Sequence, residues 1–319
     1  MNTSLVLTNS RDGLHSEEVI NNIEQHGGQS IRLDVDRLAT GEHSLLLTYT
    51  SLGNSIVLDT GTTSYDLGLV HSVWFRRPYR YELPIEDPVQ AVAAESEFRD
   101  VLHGLWELLS DKYWISHPSA ISKARLKPYQ LKAAASAGFK LPDTIITNNP
   151  ASAVDFCKSG PTVFKPFCEY NLEYEGILMT TLTTLITDEI LSMFDVVANQ
   201  PILLQRCVDK KYEVRVTCVG SEMFPTLISC ENFESVIDQR SPDAYSRLSY
   251  EQCNLPTEVV ACIRRLLSTL ELEYAAVDLA INSEGEYIFF EVNPIGQWLW
   301  IEEITGYKIS ESLAIKLVG

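Results

Sequence analysis

Two apolar runs facing each other across a short polar break constrain this chain more than any other feature. Ala276-Val277-Asp278-Leu279-Ala280-Ile281 is followed by Asn282-Ser283-Glu284-Gly285, and then by Glu286-Tyr287-Ile288-Phe289-Phe290-Glu291-Val292-Asn293-Pro294. Apolar segments around a Gly-containing tetrapeptide predict a β-hairpin. With Glu284-Gly285 as a two-residue loop, Asp278 stands directly opposite Glu291, their β-carbons about 5 Å apart. Asn293, two residues on, shares that face. A two-residue change of register keeps the three together, whereas a one-residue change turns them apart. Two carboxylates and an amide oxygen set among apolar strands are unfavourable without a cation, because like charges at that range repel. Oxygen-only donors favour a hard ion, Mg²⁺ or Mn²⁺, over zinc. All six histidines lie at or before His117, so no imidazole is on offer in this part of the chain. The same pattern also suits the solvated face of an edge hairpin, and spacing alone leaves both readings open.

The hairpin belongs to a chain of 319 residues, 45% hydrophobic and 21% charged. That is enough for two or three domains with proper cores and too apolar for disorder. There are 25 basic residues against 43 acidic ones, a net charge of −18. So negative a surface repels phosphate backbones and anionic lipid, so neither nucleic acid nor membrane is expected as a partner. No apolar run approaches the roughly 18 residues of a membrane span, and the N-terminal stretch lacks a secretory signal. Seven cysteines without a Cys-x-x-Cys pair argue against a disulfide framework or a structural zinc site. The composition reads as a soluble protein of a reducing cytoplasm.

Short strands alternate with amphipathic helices, which predicts α/β layers. Ser4–Thr8 reads as a strand, a helix begins at Ser16 as its cap, and Ser30–Val35 completes a βαβ unit. Ser44–Thr50 and Ser55–Asp59 predict a hairpin, Val70–Phe75 a strand, and Pro88–Leu109 a long helix. Ala120–Ala137 reads as one helix, followed by strands at Thr144–Thr147 and Thr162–Lys165. Past Pro201 the chain is rich in strands, with a helix near Thr257–Leu270. Boundaries near 117 and 200 divide it into segments 1–117, 118–200 and 201–319.

Basic residues occur at places where strands and helices end. Lys165 closes the apolar strand Thr162-Val163-Phe164-Lys165, and Lys127 opens a helix in Ala124-Arg125-Leu126-Lys127-Pro128-Tyr129-Gln130-Leu131. Alternation in Tyr212-Glu213-Val214-Arg215-Val216 puts Glu213 and Arg215 on one face. Each taken alone is equally a solvated charge or a surface pair.

Taken in order and spacing, Lys127, Lys165, Leu203-Leu204-Gln205-Arg206-Cys207-Val208, Glu213-x-Arg215, Asp278 and Glu291-x-Asn293 resemble the ATP-grasp ligases. The closer resemblance is to the ATP-grasp ligases that cyclise ribosomally made peptides, the microviridin and graspetide maturases. It covers nearly the whole chain. It runs through Val73-Trp74-Phe75-Arg76-Arg77-Pro78, Trp114-Ile115-Ser116-His117-Pro118, Ala124-x-x-Lys127-x-x-Gln130-Leu131 and Arg215-Val216-Thr217, to Glu291-Val292-Asn293-Pro294-x-Gly296-Gln297-Trp298-Leu299-Trp300-Ile301-Glu302.

The resemblance implies an ATP-grasp fold of α+β subdomains behind an N-terminal βαβ-type pre-ATP-grasp domain at 1–117. A central lid and leader-binding subdomain at 118–200 and a Mg²⁺-bearing subdomain at 201–319 would follow. It implies ATP and two Mg²⁺ ions as cofactors. The backbone of Gln205, Arg206, Cys207 and Val208 would meet the adenine, Glu213 the ribose, and Lys127 and Lys165 the phosphates. Asp278, Glu291 and Asn293 would hold Mg²⁺. Arg215 would offset charge on the γ-phosphate and the attacking carboxylate, with Arg240 in Asp238-Gln239-Arg240 assisting, although Gln239 stands where the family has Trp. The stretch Pro166–Gly176 holds a single Gly, so instead of a Gly-rich phosphate cradle it reads as a lid, or as a segment whose aromatic and acidic residues contact substrate. Arg76 and Arg77 would draw in substrate carboxylates or form a surface pair, and Trp298-Leu299-Trp300 would shape an acceptor pocket or plug the core. The implied activity joins Asp or Glu side chains of a precursor peptide, leader plus core, to Ser/Thr hydroxyls or Lys amines, in a homodimer. The other enzymatic reading is an amino-acid or glutamate ligase acting on a protein terminus or a small metabolite.

Overall fold

The computed structural model describes residues 2–78, 81–167, 171–174, 177–180, 182–230 and 247–319, with stretches 171–174 and 177–180 described by backbone alone. Strand Thr3–Thr8 is apolar on both faces, with Leu5, Val6 and Leu7 all fully buried, as a parallel strand between two layers requires. It pairs in parallel with Gln29–Asp34 on one side and Ser72–Phe75 on the other, and the latter pairs with Tyr113–Ile115. One face packs Leu5, Leu7, Leu33, Val73 and Phe75 into the larger core. The other face carries Val6, Trp74 and Ile115, covered by Val19 and Ile23 of helix Leu14–Gln25 and by Ile309, Leu313 and Leu317 of helix Ile309–Val318. Ser4 and Ser72 donate from their hydroxyls to the Leu317 carbonyl at 3.3 and 2.7 Å, tying that last helix to the first sheet.

The first helix starts two residues earlier than its Ser16 signal implied. Gly13, at φ 62°, makes the sharp entry, and Ser16 turns its hydroxyl back to the Gly13 carbonyl from inside the first turn. A short helix, Val35–Thr40, and a third strand, Ser64–Asp66, add to the elements read from sequence. The helix expected over 120–137 is two, Pro118–Ala124 and Lys127–Ala137. Pro128 has no N–H to give Ala124 and its ring would clash there, so the chain breaks and restarts with Pro in the first turn.

Among the described residues, the central sheet runs Thr184–Leu185, Thr162–Lys165, Ile202–Arg206, Thr144–Thr147, all antiparallel. Strand Ile202–Arg206 therefore pairs with strands that precede it, whereas the sequence boundary fell just ahead of it. Ala153, Phe194, Val197, Ile202 and Leu204 give this part a small core of its own.

The C-terminal sheet is antiparallel in the order Ser249–Gln252, Glu222–Ser229, Lys210–Val219, Tyr274–Asn282, Tyr287–Asn293. Alternation sends Val214, Val216, Val277, Leu279, Phe289 and Val292 to one face, under Ile263, Leu266 and Leu270 of helix Thr257–Leu270. Glu213, Arg215, Asp278 and Glu291 are left for the other face.

The hairpin that carries Asp278 and Glu291 differs from its expected form at two points. Its loop has three residues, Ser283-Glu284-Gly285, closed by Asn282 N–H to Glu286 O at 3.1 Å, with Gly285 at φ 82°. Asn282 Oδ1 accepts from the amides of Glu284 and Glu286, which favours the longer turn. The pairs nearest the turn, Ile281 with Tyr287 and Leu279 with Phe289, are thus one residue out of the two-residue-loop register. A bulge then inserts Phe290 as the extra residue, and Asp278 meets Glu291 after all. Two departures cancel.

No helix among the described residues is long and apolar enough to cross a membrane.

Candidate active site

Three neighbouring strands set Arg215, Asp278 and Glu291 in one row, Arg215 opposite Asp278 and Asp278 opposite Glu291. Each carboxylate has a cation. Arg215 Nη1 donates to both oxygens of Asp278 at 3.1 Å, and Lys127 Nζ lies 2.6 Å from Glu291 Oε2. Lys127 reaches the row because its helix is fastened to the hairpin one turn further on. Gln130, buried, donates from Nε2 to the Val292 carbonyl at 2.9 Å and to the Ala124 carbonyl at 2.7 Å, and accepts the Val292 amide at 3.2 Å. The sequence assigned Gln130 no role, although it stands one helical turn after Lys127 in Ala124-x-x-Lys127-x-x-Gln130-Leu131.

The central sheet supplies Lys165 from its side of the cleft. Its ammonium stands 4.4 Å over the ring of Phe290, and that of Lys210 stands 5.9 Å from the same ring. Phe290, the bulge residue, thus shares the face of Glu291. Sequence reasoning passed over both Phe290 and Lys210. Lys210 forms a buried ion pair with Glu213. The Lys165 pKa is pushed down to about 8, chiefly by burial; Glu291 and Glu213 oppose the shift, while Lys127 and Lys210 assist it. Lys127, Lys165, Gln205 and Phe290 line one small cavity together with Gln130, Leu131 and Leu203. Four cations and three carboxylates therefore share the mouth between the two sheets, with their charges nearly balanced.

Other residues singled out from sequence stand further off. The Gln205 side chain donates to Thr144 Oγ1 at 2.9 Å. The Arg206 guanidinium turns away to the carbonyls of Gly160 and Phe156, at 2.8 and 2.6 Å, and stacks 3.9 Å from the Phe156 ring. The amides of Arg206 and Cys207 are taken by the carbonyls of Asp143 and Pro161, at 2.9 and 3.0 Å. Among the described residues, the Val208 amide and the Cys207 carbonyl keep no such partner. Asn293 follows Glu291 on its face, and its Oδ1 accepts the Ile295 amide at 3.1 Å. Trp298 is completely buried and plugs the core. Arg76 is 1% exposed, so it cannot gather substrate from solution. Arg240 lies outside the described residues, as does much of the expected lid, 168–170 and 175–176.

The donor set suits a hard ion. Asp278 and Glu291 face each other, Asn293 adds an amide oxygen, and Arg215 and Lys127 supply the positive charge that two opposed carboxylates require. No group of three His, Cys, Asp or Glu able to hold an ion occurs among the described residues, so the remaining positions would fall to water and phosphate oxygens.

A mixed sheet-and-helix body in which Lys127 from a helix and Lys165 from a central sheet face paired carboxylates on a C-terminal sheet has the architecture of the ATP-grasp fold. Comparison with known proteins narrows the class. Residues 3–122 match the family described as the MvdD pre-ATP grasp domain. Among solved structures, a RiPP-associated ATP-grasp ligase of Chryseobacterium gregarium, in complex with ADP and a leader and core peptide, is 28% identical. The similarity covers 99% of this chain and 96% of that one, with a TM-score of 0.92. Macrocyclase MdnB of Microcystis aeruginosa MRC is 26% identical over 100% of this chain and 99% of its own, with a TM-score of 0.84. Macrocyclase MdnC of the same organism, bound with precursor peptide MdnA, is 24% identical over 99% of both chains, with a TM-score of 0.86. No curated protein matches. Residues 3–122 thus carry a domain of the MvdD pre-ATP grasp type, and the chain as a whole is similar over nearly its full length to RiPP-associated ATP-grasp ligases.

Proposed function

We propose that the chain is an ATP-dependent macrocyclase of a ribosomally made precursor peptide. The observation that carries this reading is the row Arg215, Asp278, Glu291 with Lys127 and Lys165 facing it, in a chain similar over 99% of its length to a ligase in complex with ADP and a leader and core peptide. A carboxylate is a poor acylating agent because oxide is a poor leaving group. Transfer of the γ-phosphoryl group of ATP to an Asp or Glu side chain makes an acyl phosphate. A Ser/Thr hydroxyl or Lys amine attacks its carbonyl, the C–O bond to phosphate breaks, and an ester or amide forms with loss of ADP and phosphate.

The residues divide this work by charge. Lys127 and Lys165 bind phosphate oxygens, Lys127 exchanging its Glu291 partner for them. Asp278, Glu291 and Asn293 would hold Mg²⁺, two ions in the fullest reading, which when bound neutralises the triphosphate. Arg215 faces the terminal phosphate and the incoming carboxylate, both negative, and Arg240 assists it. The Val208 amide and Cys207 carbonyl receive the adenine edge at the end of Gln205-Arg206, and Glu213, steadied by Lys210, receives the ribose. In this scheme the parts are 1–117, 118–200 and 201–319, with strand Ile202–Arg206 working alongside the central part, which takes the leader. The protein acts as a homodimer in the cytoplasm.

The test is to incubate the purified chain with ATP, Mg²⁺ and a precursor peptide rich in Thr/Ser and Asp/Glu blocks. The peptide mass should fall by one water per ring as ADP appears. A product that gains mass would turn the reading to an amino-acid ligase, and an unchanged peptide beside an ATP-competent enzyme would remove macrocyclisation.

A further inference from the structure

The turn that follows Asn293 is held from the opposite half of the molecule. Arg76, one residue past strand Ser72–Phe75, is buried in the interface between the first sheet and this turn. Its Nη1 donates to the carbonyls of Ile295 and Gly296 at 3.1 and 3.3 Å. Its Nε lies 3.2 Å from Asp12 Oδ1, also buried, and the guanidinium stands 4.9 Å from the Trp298 ring. Tyr274 adds a hydroxyl hydrogen bond to the Gly296 carbonyl at 2.9 Å. On the far side of the turn, Arg215 Nη2 reaches the Gln297 carbonyl at 3.5 Å. A β-carbon on Gly296 would stand 2.9 Å from that same Nη2 and 2.8 Å from the Ala276 β-carbon. Three consecutive carbonyls, 295 to 297, are thus gripped by Arg76, Tyr274 and Arg215. Asn293 Oδ1 accepts the Ile295 amide where this turn begins.

Burying an arginine this deeply is unfavourable unless its charge and donors are used. Here the charge goes to Asp12 and one guanidinium nitrogen, Nη1, donates to backbone beside the site, not to substrate. Arg215 is confined between Asp278 and the turn, so a shift of the turn moves its guanidinium. We infer that Arg76 is a positioning residue: through the turn Ile295–Gln297 it sets the guanidinium of Arg215 against the terminal phosphate of ATP. The inference rests on the role given to Arg215 under the proposed function.

Calorimetric titration of the full chain tests this without turnover. Affinities for ADP and for a non-hydrolysable ATP analogue are measured with Mg²⁺ present. Arg76→Lys keeps the charge and loses the planar fork. Gly296→Ala crowds Arg215 from the turn side and serves if Arg76→Lys does not fold. Each should weaken analogue binding about tenfold and leave ADP affinity within about threefold, because only the analogue carries the terminal phosphate. Added to Arg215→Lys, neither should lower analogue affinity further, since both act through that side chain. Parallel loss of ADP and analogue binding, or losses that add to that of Arg215→Lys, would overturn the positioning role. A wild type that binds neither nucleotide would overturn the functional reading itself, and the inference with it.

Discussion

At the scale of single residues, the two facing carboxylates are unequal. Glu291 is 40% exposed and Lys127 19%, whereas Asp278 and Arg215 are 15% and 12% exposed. Half-exposed pairs contribute about 0–1 kcal/mol to stability, while breaking an enclosed pair costs about 3 kcal/mol because a charge is left stranded. Glu291→Gln should therefore melt within a few degrees of the parent and yet lose about 10²- to 10³-fold in ADP release with peptide. Asp278→Asn should lose both turnover and stability, since Arg215 then lacks its bidentate partner. Paired thermal melts and ADP assays read the difference; equal melting of the two variants would contradict it.

Gln130 shows what an element adds to a residue. Helix Lys127–Ala137 presents Lys127 correctly only because Gln130 fills both backbone groups of Val292. Gln130→Leu keeps the volume but strands a buried amide and carbonyl, at about 2–3 kcal/mol. Denaturant unfolding should show that loss, and nucleotide affinity should fall with it as Lys127 drifts from Glu291. A stability unchanged from the parent would count against the clamp. The hairpin shows how far sequence reached at this scale. Alternation correctly paired Asp278 with Glu291, but the loop it assumed was a residue too short, and nothing in Phe289-Phe290 marks which ring is the bulge. Asn282 ahead of Gly285 was the legible sign of the longer turn. Lys127, Lys165, Glu213 and Arg215 were readable because each sits at an element's end or on a polar face. Lys210 and Arg76 were not, because the Phe290 ring and the carbonyls of Ile295 and Gly296 that meet them come from segments far along the chain.

Across the whole molecule, the first and last segments share one core, and His15 reports on it. Its ring meets Trp298 edge-on at 4.9 Å, and its pKa is pushed down to about 4, first by burial and then by Arg76. The folded protein thus takes up this proton less readily than the unfolded chain, whose His titrates near 6.5. Between those values the unfolded state binds more protons, so stability falls as pH drops from 6.5 towards 4. His15→Phe should flatten that limb in denaturant titrations, and a slope equal to the parent's would argue against it. The sharing of the core also bears on how the protein is made. When residues 3–122 have left the ribosome, Val6, Trp74 and Ile115 have only Val19 and Ile23 as cover on one side, because Ile309, Leu313 and Leu317 are not yet synthesised. The nascent first domain must wait, greasy side out, for almost two hundred further residues, which makes it a natural client for chaperones and a poor candidate for expression alone.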